Sequence, residues 1–299
     1  MRILSIGEAM VELGQSDQPG LWRLGIAGDT LNTAWYLRRL LGADWQVDYL
    51  SRVGQGAFSQ QMVDFLSAEG IGTAHVARDP DREIGLYAIS LTDGERSFAY
   101  WRDTSAARRL ADDPAALNAA LEGAALAYFS GITVAILPPE GRANLLATLS
   151  RAKAAGTRVV FDPNLRPRLW PDAATMRQGI SDAAAGADLV LPSFDDEARI
   201  FGDSNAAATA ARYREIGCEE VVVKDGAGDA LLLVAGMQEP LVVPSNAVEK
   251  PVDTTGAGDS FGAGYLAARL QGQSPQDAVH SAHATAARVI QGYGGLVEL

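Results

Sequence analysis

The sequence predicts an α/β fold, a doubly wound and mostly parallel sheet with helices on both faces, plus a small β-sheet lid. Strand-like and helix-like segments alternate along most of the chain, which is typical of parallel sheets with right-handed crossovers. Residues 83–102 instead show two alternating strands around a TDGER turn, the pattern of a hairpin with one exposed face. The 299 residues suit one large domain. We therefore expect a single domain over 1–299, with a lid from about 9–26 and 75–103.

The first elements of the core follow from apolar runs and their stop signals. RILSIG, at 2–7, is a short apolar strand, and residues 29–42 form a helix that begins with Asp29 or Thr30 as N-cap and ends at Gly42. VDYLSRVG, at 47–54, is the next strand, and the helix over 58–70 ends at a glycine. The hairpin of 83–102 follows.

The alternation of strands and helices resumes after the hairpin. The predicted strands are 124–132, 158–164, 187–193, 219–226 and 229–236, and the predicted helices are 139–156, 205–217, 258–272 and 274–291. Their order predicts that both faces of the sheet are covered.

Charge and composition narrow the classes of function. The net charge is −12, from 37 acidic and 25 basic residues, which disfavours nucleic acid and anionic membranes as partners. No apolar run approaches the ~20 residues that cross a bilayer, and the N-terminus lacks the layout of a signal peptide. The single cysteine, Cys218, follows a helix pattern next to a strand and is expected in the core. We expect a cytoplasmic protein.

The stretch DTTGAGDSFGAGYLAARL, 253–270, places four glycines around Asp259 at a helix start. Each helical glycine costs roughly 1 kcal/mol relative to alanine, but glycines let an anion approach the free N–H groups there. The run has no lysine and is not a Walker A loop. A carboxylate that would repel bound phosphate suits a general base that deprotonates an attacking hydroxyl, with the amides of Ala257 and Gly258 stabilising the developing charge. The alternative is an N-capping aspartate at an ordinary turn.

Two motifs resemble one known family. DTTGAGDSFGAGYL, at 253–266, resembles the C-terminal signature of the ribokinase-like (PfkB) sugar kinases, and AGDTLNTA, at 27–34, resembles their N-terminal sugar-binding signature. The two motifs lie at the expected ends of the chain, so the resemblance covers essentially all of it. It implies a ribokinase-like core, a β lid over the sugar, and ATP with Mg²⁺.

The resemblance also implies roles for particular residues. Asp259 would be the catalytic base, with Gly256, Ala257 and Gly258 as the anion hole, and Asp253 and Thr255 would lie near a monovalent cation, K⁺ in many relatives. The implied nucleotide contacts are Asn164, Arg166, Ser193, Lys224, Gly226, Gly228, His283 and the anion hole itself. The implied sugar contacts are Gly28, Asp29, Asn32, Tyr87, Tyr100, Arg102, Ile132, Arg166 and Asp259.

Two positions depart from the family pattern. Gly56 and Ser59 stand where many relatives carry aspartate and glycine, which puts a sugar-side contact in doubt. In the family's N-x-x-E magnesium motif, Ser193 stands in the asparagine place. The carboxylate is Asp196 by spacing, but Glu197 is adjacent, and the sequence leaves both open.

The lid and one strand end indicate an acidic substrate. Tyr100 and Arg102 share one face of their strand, and Tyr87 can join them. FDPNLRPRLW leaves a strand end, where ligands bind in open α/β sheets, and carries Arg166 and Arg168. Two arginines in one pocket suit a carboxylate. Alternatively, each arginine pairs with a protein carboxylate.

Within the family, YWRDTSAA, AGDTLNTA and AFSQQM resemble the kinases of 2-keto-3-deoxygluconate, which implies phosphorylation at O6. The alternatives are a fructokinase or other neutral-sugar kinase, a non-catalytic nucleotide-binding regulatory protein and a structural scaffold. A small lid sheet is poorly stable alone, so we expect a homo-oligomer that pairs through it.

Overall fold

The computed structural model of the chain describes residues 1–16, 18, 20–92, 95–245 and 248–299. The strands are β1 (Arg2–Ile6), β2 (Met10–Gln15), β3 (Trp22–Ala27), β4 (Gln46–Val53), β5 (Gly72–Arg78), β6 (Leu86–Thr92), β7 (Glu95–Trp101), β8 (Leu126–Ser130), β9 (Arg158–Asp162), β10 (Leu189–Val190), β11 (Glu220–Val223), β12 (Ala230–Val234) and β13 (Leu241–Val243). The helices are α1 (Asp29–Leu40), α2 (Ala57–Ala68), α3 (Pro114–Leu121), α4 (Gly131–Ile136), α5 (Pro139–Ala154), α6 (Ala173–Ala185), α7 (Phe194–Phe201), α8 (Ala206–Ile216), α9 (Ala257–Leu270) and α10 (Pro275–Val289).

The large sheet has the order β13-β12-β11-β10-β9-β8-β1-β4-β5. Neighbours from β11 to β5 are parallel, and β12 and β13 add an antiparallel edge. The chain runs from β1 outwards to β4 and β5, then returns to the other side of β1 at β8. This reversal makes the sheet doubly wound, as the sequence predicts.

The core consists of two apolar layers, one on each face of this sheet. Adjacent residues of β1 show why, since Ile3 packs into one layer and Leu4 into the other. Side chains alternate across a strand, so a strand that is buried on both faces must be apolar at nearly every position.

The small sheet has the order β3-β2-β6-β7 and forms the lid. The register pairs Glu12 with Tyr87 and Tyr87 with Tyr100, so these residues share one face. Residues 93 and 94 of the TDGER turn lie outside the described residues. The lid segment begins later than we expected from 75, because β5 pairs with β4 in the large sheet.

Helix α1 begins one residue earlier than the sequence predicts, with Gly28 as its N-cap and no side-chain cap. The Asp29 carboxylate does not cap the helix and instead accepts a hydrogen bond from Asn164, in the loop after β9. Within the described ranges, no helix is both long and apolar enough to cross a membrane.

Candidate active site

The carboxyl ends of the central parallel strands meet beneath the lid. β1 and β8 are neighbours, and the chain winds away from them in opposite directions. Ligands bind at such a topological switch point in open α/β sheets. The loops after β1, β8, β9 and β11 and the start of α9 all converge there, and they carry most of the predicted site residues.

Asp259 lies half-buried in the first turn of α9. Its Oδ2 accepts a hydrogen bond from Asn32 Nδ2 at 2.8 Å. Burial, reinforced by the nearby charge of Asp29, raises the pKa of Asp259 to about 7, although the Asn32 hydrogen bond and Lys224 oppose the shift. A carboxyl with a pKa near neutrality suits proton transfer at physiological pH. Its side chain faces polar groups of the site, so Asp259 is not merely a cap.

Gly256 is the N-cap of α9 in the left-handed conformation, with φ 75°. A Cβ there would also lie 2.7 Å from the carbonyl oxygen of Gly295. Only glycine satisfies both requirements. A Cβ on Gly258 would lie 3.5 Å from Lys224 Nζ. Ala257, the first residue of the helix, donates its amide to the Thr254 carbonyl at 3.2 Å. The first turn of the helix lies beside Lys224, which is a favourable place for phosphate oxygens.

The glycines further along α9 serve packing. A Cβ on Gly264 would lie 2.7 Å from Thr285 Oγ1 and 3.0 Å from Ala282 Cα, both on α10. The two helices approach each other too closely for a side chain at this position.

Lys224, at the end of β11, forms a buried ion pair with Asp162 at the end of β9, with 2.7 Å between Nζ and Oδ2. Burial raises the pKa of Asp162, and Lys224 opposes that shift. Asp162 was not among the predicted site residues, although its place at a strand end in FDPN is a signal for such a role. Ser193 bridges to Lys224, which brings this predicted nucleotide contact to the same place.

Asn164 lies two residues beyond Asp162 and adopts φ 34°, which is unusual for a residue other than glycine. Its Nδ2 donates to Asp29 Oδ2 at 2.8 Å. Gly28 packs so closely on the carbonyl oxygen of Glu8 that a Cβ would overlap it. The AGDTLNTA motif and the FDPN loop are thus joined directly.

The lid contributes two aromatic side chains over the site. The rings of Tyr87 and Tyr100 stack with centroids 5.7 Å apart, and the Tyr87 hydroxyl donates to Glu12. Burial is the main cause that raises the pKa of Tyr87, and the charges of Glu12 and Asp259 add to it. Ile132, another predicted sugar contact, lies half-buried just after β8.

Arg102 and Arg166, the two arginines expected to share a pocket, each face a protein carboxylate. Arg102 is buried and donates through Nη2 to Glu8 Oε2. Arg166 is exposed, with its Nη1 3.8 Å from Asp196 Oδ2. Each arginine therefore pairs with a protein carboxylate, as the alternative predicts, and the partner of Arg102 is Glu8. Arg168 is exposed.

The two candidate magnesium carboxylates differ sharply. Glu197 is fully buried, paired with Arg212 at 2.7 Å and with the Tyr213 hydroxyl at 2.9 Å, and burial raises its pKa to about 7. Asp196 is partly exposed and pairs with Arg199 at 2.5 Å. The described residues hold no group of three or more side chains arranged for a metal ion. Of the two, only Asp196 can face a metal carried by a nucleotide.

The loop before α9 is tied to the C-terminal segment. Asp253 Oδ1 accepts from the backbone and hydroxyl of Thr255, and Asp253 Oδ2 accepts from the Gly294 amide at 2.9 Å. The Tyr36 hydroxyl donates to the Gly295 carbonyl at 2.9 Å and accepts from the Val297 amide at 3.0 Å. Residues 294–297 therefore help to shape the start of α9.

The remaining predicted nucleotide contacts lie further out. Gly226 and Gly228 lie in an exposed turn between β11 and β12. His283 packs edge-on against Phe261, with centroids 5.2 Å apart, and its buried Nε2 lacks a hydrogen-bond partner.

The loop at Gly56 and Ser59, which departs from the family pattern, is hydrogen-bonded to the carboxylate of a residue distant in the sequence. Glu83 accepts from the Gly56 amide at 2.9 Å and from the Ser59 hydroxyl at 2.8 Å. Ser59 Oγ also accepts from the Gly54 amide. A residue just before the lid strand β6 thus caps α2.

Comparisons with known proteins agree with this geometry. A family described as pfkB family carbohydrate kinase matches residues 2–297. The 2-dehydro-3-deoxygluconokinase of Escherichia coli K12 is 40% identical over 303 residues, covering 99% of this chain and 97% of the relative. The PfkB protein from Polaromonas sp. JS666 has a similar structure, with a TM-score of 0.86, 31% identity and coverage of 98% and 96% of the two chains. A ribokinase II from E. coli, solved with ATP and Mg²⁺, has a TM-score of 0.83 and 26% identity, covering 98% of this chain and 94% of the other.

Proposed function

The chain belongs to the pfkB family of carbohydrate kinases, and from that premise we propose that it transfers the γ-phosphoryl group of ATP to O6 of 2-keto-3-deoxygluconate. The observation that carries the proposal is the position of Asp259. Its carboxylate lies in the first turn of α9, held by Asn32 and close enough to the buried Lys224 to feel its charge, beneath an aromatic lid. The relatives named 2-dehydro-3-deoxygluconokinase support the choice of sugar.

In the proposed mechanism, Asp259 accepts the proton of the attacking hydroxyl. The Asn32 hydrogen bond holds the carboxylate in one orientation. The amides of Ala257 and Gly258, with Lys224 alongside, would stabilise the charge on the phosphoryl oxygens in the transition state.

Sugar binding would use both sides of the cleft. Gly28, Asp29 and Asn32 would contact the hydroxyl groups from the core. Tyr87, Tyr100 and Arg102 would close from the lid, and Arg102 and Arg166 would hold the carboxylate end of the substrate. Arg166 suits this role because it is exposed and, within the described part of the chain, pairs only loosely with Asp196, at 3.8 Å.

ATP would bind along the ends of β9 and β11 and the exposed turn at Gly226 and Gly228, with His283 towards the adenine. Mg²⁺ prefers few carboxylates, substrate phosphates and water, and the residues present fit that arrangement through Asp196. Bound Mg²⁺ would offset the repulsion between the phosphate chain and Asp259. We also propose a K⁺ ion near Asp253 and Thr255, where a carboxylate oxygen and a hydroxyl oxygen lie 2.7 Å apart.

We further propose that the lid pairs with the lid of a second copy. Trp22, Leu24 and Trp101 of the small sheet are each more than two-fifths exposed, and exposed aromatic surface of this kind favours an interface.

The buried thiol of Cys218 agrees with the cytoplasmic location that the sequence predicts.

A substrate panel tests the proposal. Purified protein with Mg·ATP is given 2-keto-3-deoxygluconate, fructose, ribose and gluconate, and ADP release is measured together with the position of phosphate on the product. We expect kcat/KM to be highest for 2-keto-3-deoxygluconate. A preference for fructose would make the protein a neutral-sugar kinase, and ATP binding without sugar-dependent ADP release would make it a regulatory protein.

A further inference from the structure

The side chain of Glu8 is buried at the junction between the core and the lid. It lies in the short connection from β1 to β2, and its side chain is fully buried. A Cβ on Gly85, just before β6, would lie 2.9 Å from Glu8 Oε1. The glycine thus leaves room for the carboxylate at the base of the lid. The connection from β1 to β2, the start of β6 and the end of β7 meet there.

The partner of Glu8 is Arg102, which directly follows β7 and is 7% exposed. Nη2 of Arg102 donates to Glu8 Oε2, whereas the buried Nε has no hydrogen-bond partner. An arginine has five N–H donors in a rigid fork, so one donor of this fork is anchored and at least one is left over. Arg102 also continues the row of Tyr100 along its strand, on the lid face that covers Asp259.

A buried ion pair of this kind is weak evidence for stability, because desolvation of the charges offsets their attraction. It does fix geometry, however, since a charge-assisted hydrogen bond is short and directional. Recognition of a carboxylate by arginine depends on the orientation of the planar guanidinium. An arginine held in place before substrate arrives would lose little conformational freedom on binding.

We infer that Glu8 is a positioning residue for Arg102 and thereby sets the preference of the site for acid sugars over neutral sugars. This inference rests on the proposed function, in which Arg102 meets the carboxylate of the substrate. Glu8 does not touch the substrate and acts only through the guanidinium.

The experiment compares kcat/KM for 2-keto-3-deoxygluconate with kcat/KM for fructose in matched variants. In Glu8→Ala we expect the ratio of kcat/KM for the acid sugar to kcat/KM for fructose to fall at least about tenfold, because KM for the acid sugar rises. KM for ATP should be unchanged. Glu8→Gln keeps an acceptor oxygen and should stay within about threefold of the unmodified ratio. Glu8→Asp keeps the charge but shortens the side chain, so its ratio should lie between those of Glu8→Ala and Glu8→Gln. This variant still tests the inference if Glu8→Ala does not fold.

Two controls separate positioning from general damage. Glu220→Ala removes another buried carboxylate, paired with Arg158 at 2.5 Å at the start of β11, and should leave the ratio unchanged. Glu8→Ala combined with Arg102→Ala should lower the ratio no further than Arg102→Ala alone.

The outcomes are distinguishable. If the unmodified protein does not prefer the acid sugar, both the proposed function and this inference are overturned. If it does prefer the acid sugar and Glu8→Ala keeps that preference, or lowers both activities equally, only the role of Glu8 is overturned. The role of Glu8 is also overturned if Glu8→Gln lowers the ratio as much as Glu8→Ala does.

Discussion

Asn32 Nδ2 lies 2.8 Å from Oδ2 of Asp259, a residue 227 positions away. This hydrogen bond joins the N-terminal AGDTLNTA motif to the C-terminal glycine-rich motif. It also gives the carboxylate a fixed orientation at the start of α9. The predictions below begin from this pair.

Replacement of Asp259 by asparagine should leave the fold intact and lower kcat by at least ~100-fold, the usual effect of removing a general base. The amide cannot accept the proton, although it can still accept the Asn32 hydrogen bond. Coupled ADP release measures the loss. Asp182→Asn, at an exposed residue of α6, is the matched control. Turnover close to that of the control would remove Asp259 from the mechanism.

The rate should depend on pH through the same residue. The pKa of Asp259 is raised to about 7, and the base works only when deprotonated, so kcat/KM should rise with pH and level off above about 7. Asp29 contributes to the raised pKa through its charge. In Asp29→Asn, kcat/KM should therefore begin to rise at lower pH, whatever its maximum value. If the pH at which kcat/KM rises is unchanged, a group other than Asp259 controls the pH dependence.

Gly256→Ala should destabilise the protein by about 2–3 kcal/mol, since a left-handed backbone and a crowded neighbour both oppose a side chain. Urea unfolding measures the change. The control is Gly258→Ala, where the added methyl group meets only Lys224 Nζ at an ordinary 3.5 Å. That variant should cost less than about 1 kcal/mol of stability and should reduce turnover. Equal stability of the two variants would contradict our account of the helix start.

Arg166→Ala should raise KM for the acid sugar more than about tenfold, while KM for ATP changes by less than about threefold. The reason is that an exposed arginine near the cleft is free to meet the carboxylate of the substrate. Arg168→Ala, two residues along and also exposed, should have little effect on either KM. A selective rise in KM for ATP would instead assign Arg166 to the nucleotide side.

Pairing through the lid predicts a mass in solution of at least twice 31.5 kDa. Trp22→Glu and Leu24→Glu, on one face of β3, should each shift the protein towards the monomer, as measured by light scattering during gel filtration. Val242→Glu, at an exposed residue of β13 outside the lid, should not. A monomeric unmodified protein at micromolar concentration would exclude the interface.

The sequence predicts most of the large sheet because buried parallel strands and their helices carry strong local patterns. It does not predict β5, whose residues are mostly half-buried at the sheet edge, nor α3, α4, α6 and α7. Helix α7 has only eight residues, three of them acidic residues of its first turn, so its apolar pattern is too short to be distinctive. The motifs around Asn32 and Asp259 were found because glycine and carboxylate positions are informative in themselves.

Pairings between distant residues lay beyond sequence reasoning. The partner of Arg102 is 94 positions away, although a carboxylate, Asp103, is adjacent in the sequence. Glu83 caps a helix that begins 26 residues before it. Neither choice depends on local propensity, because both follow from how the lid joins the core.

The hold of Tyr36 on residues 295 and 297 has a consequence for biosynthesis. A ribosome delivers Asn32 early, but the catalytic cleft acquires its final wall only when residue 297 has emerged from the exit tunnel. The start of α9, whose N-cap Gly256 packs against Gly295, therefore gains this support only late in translation.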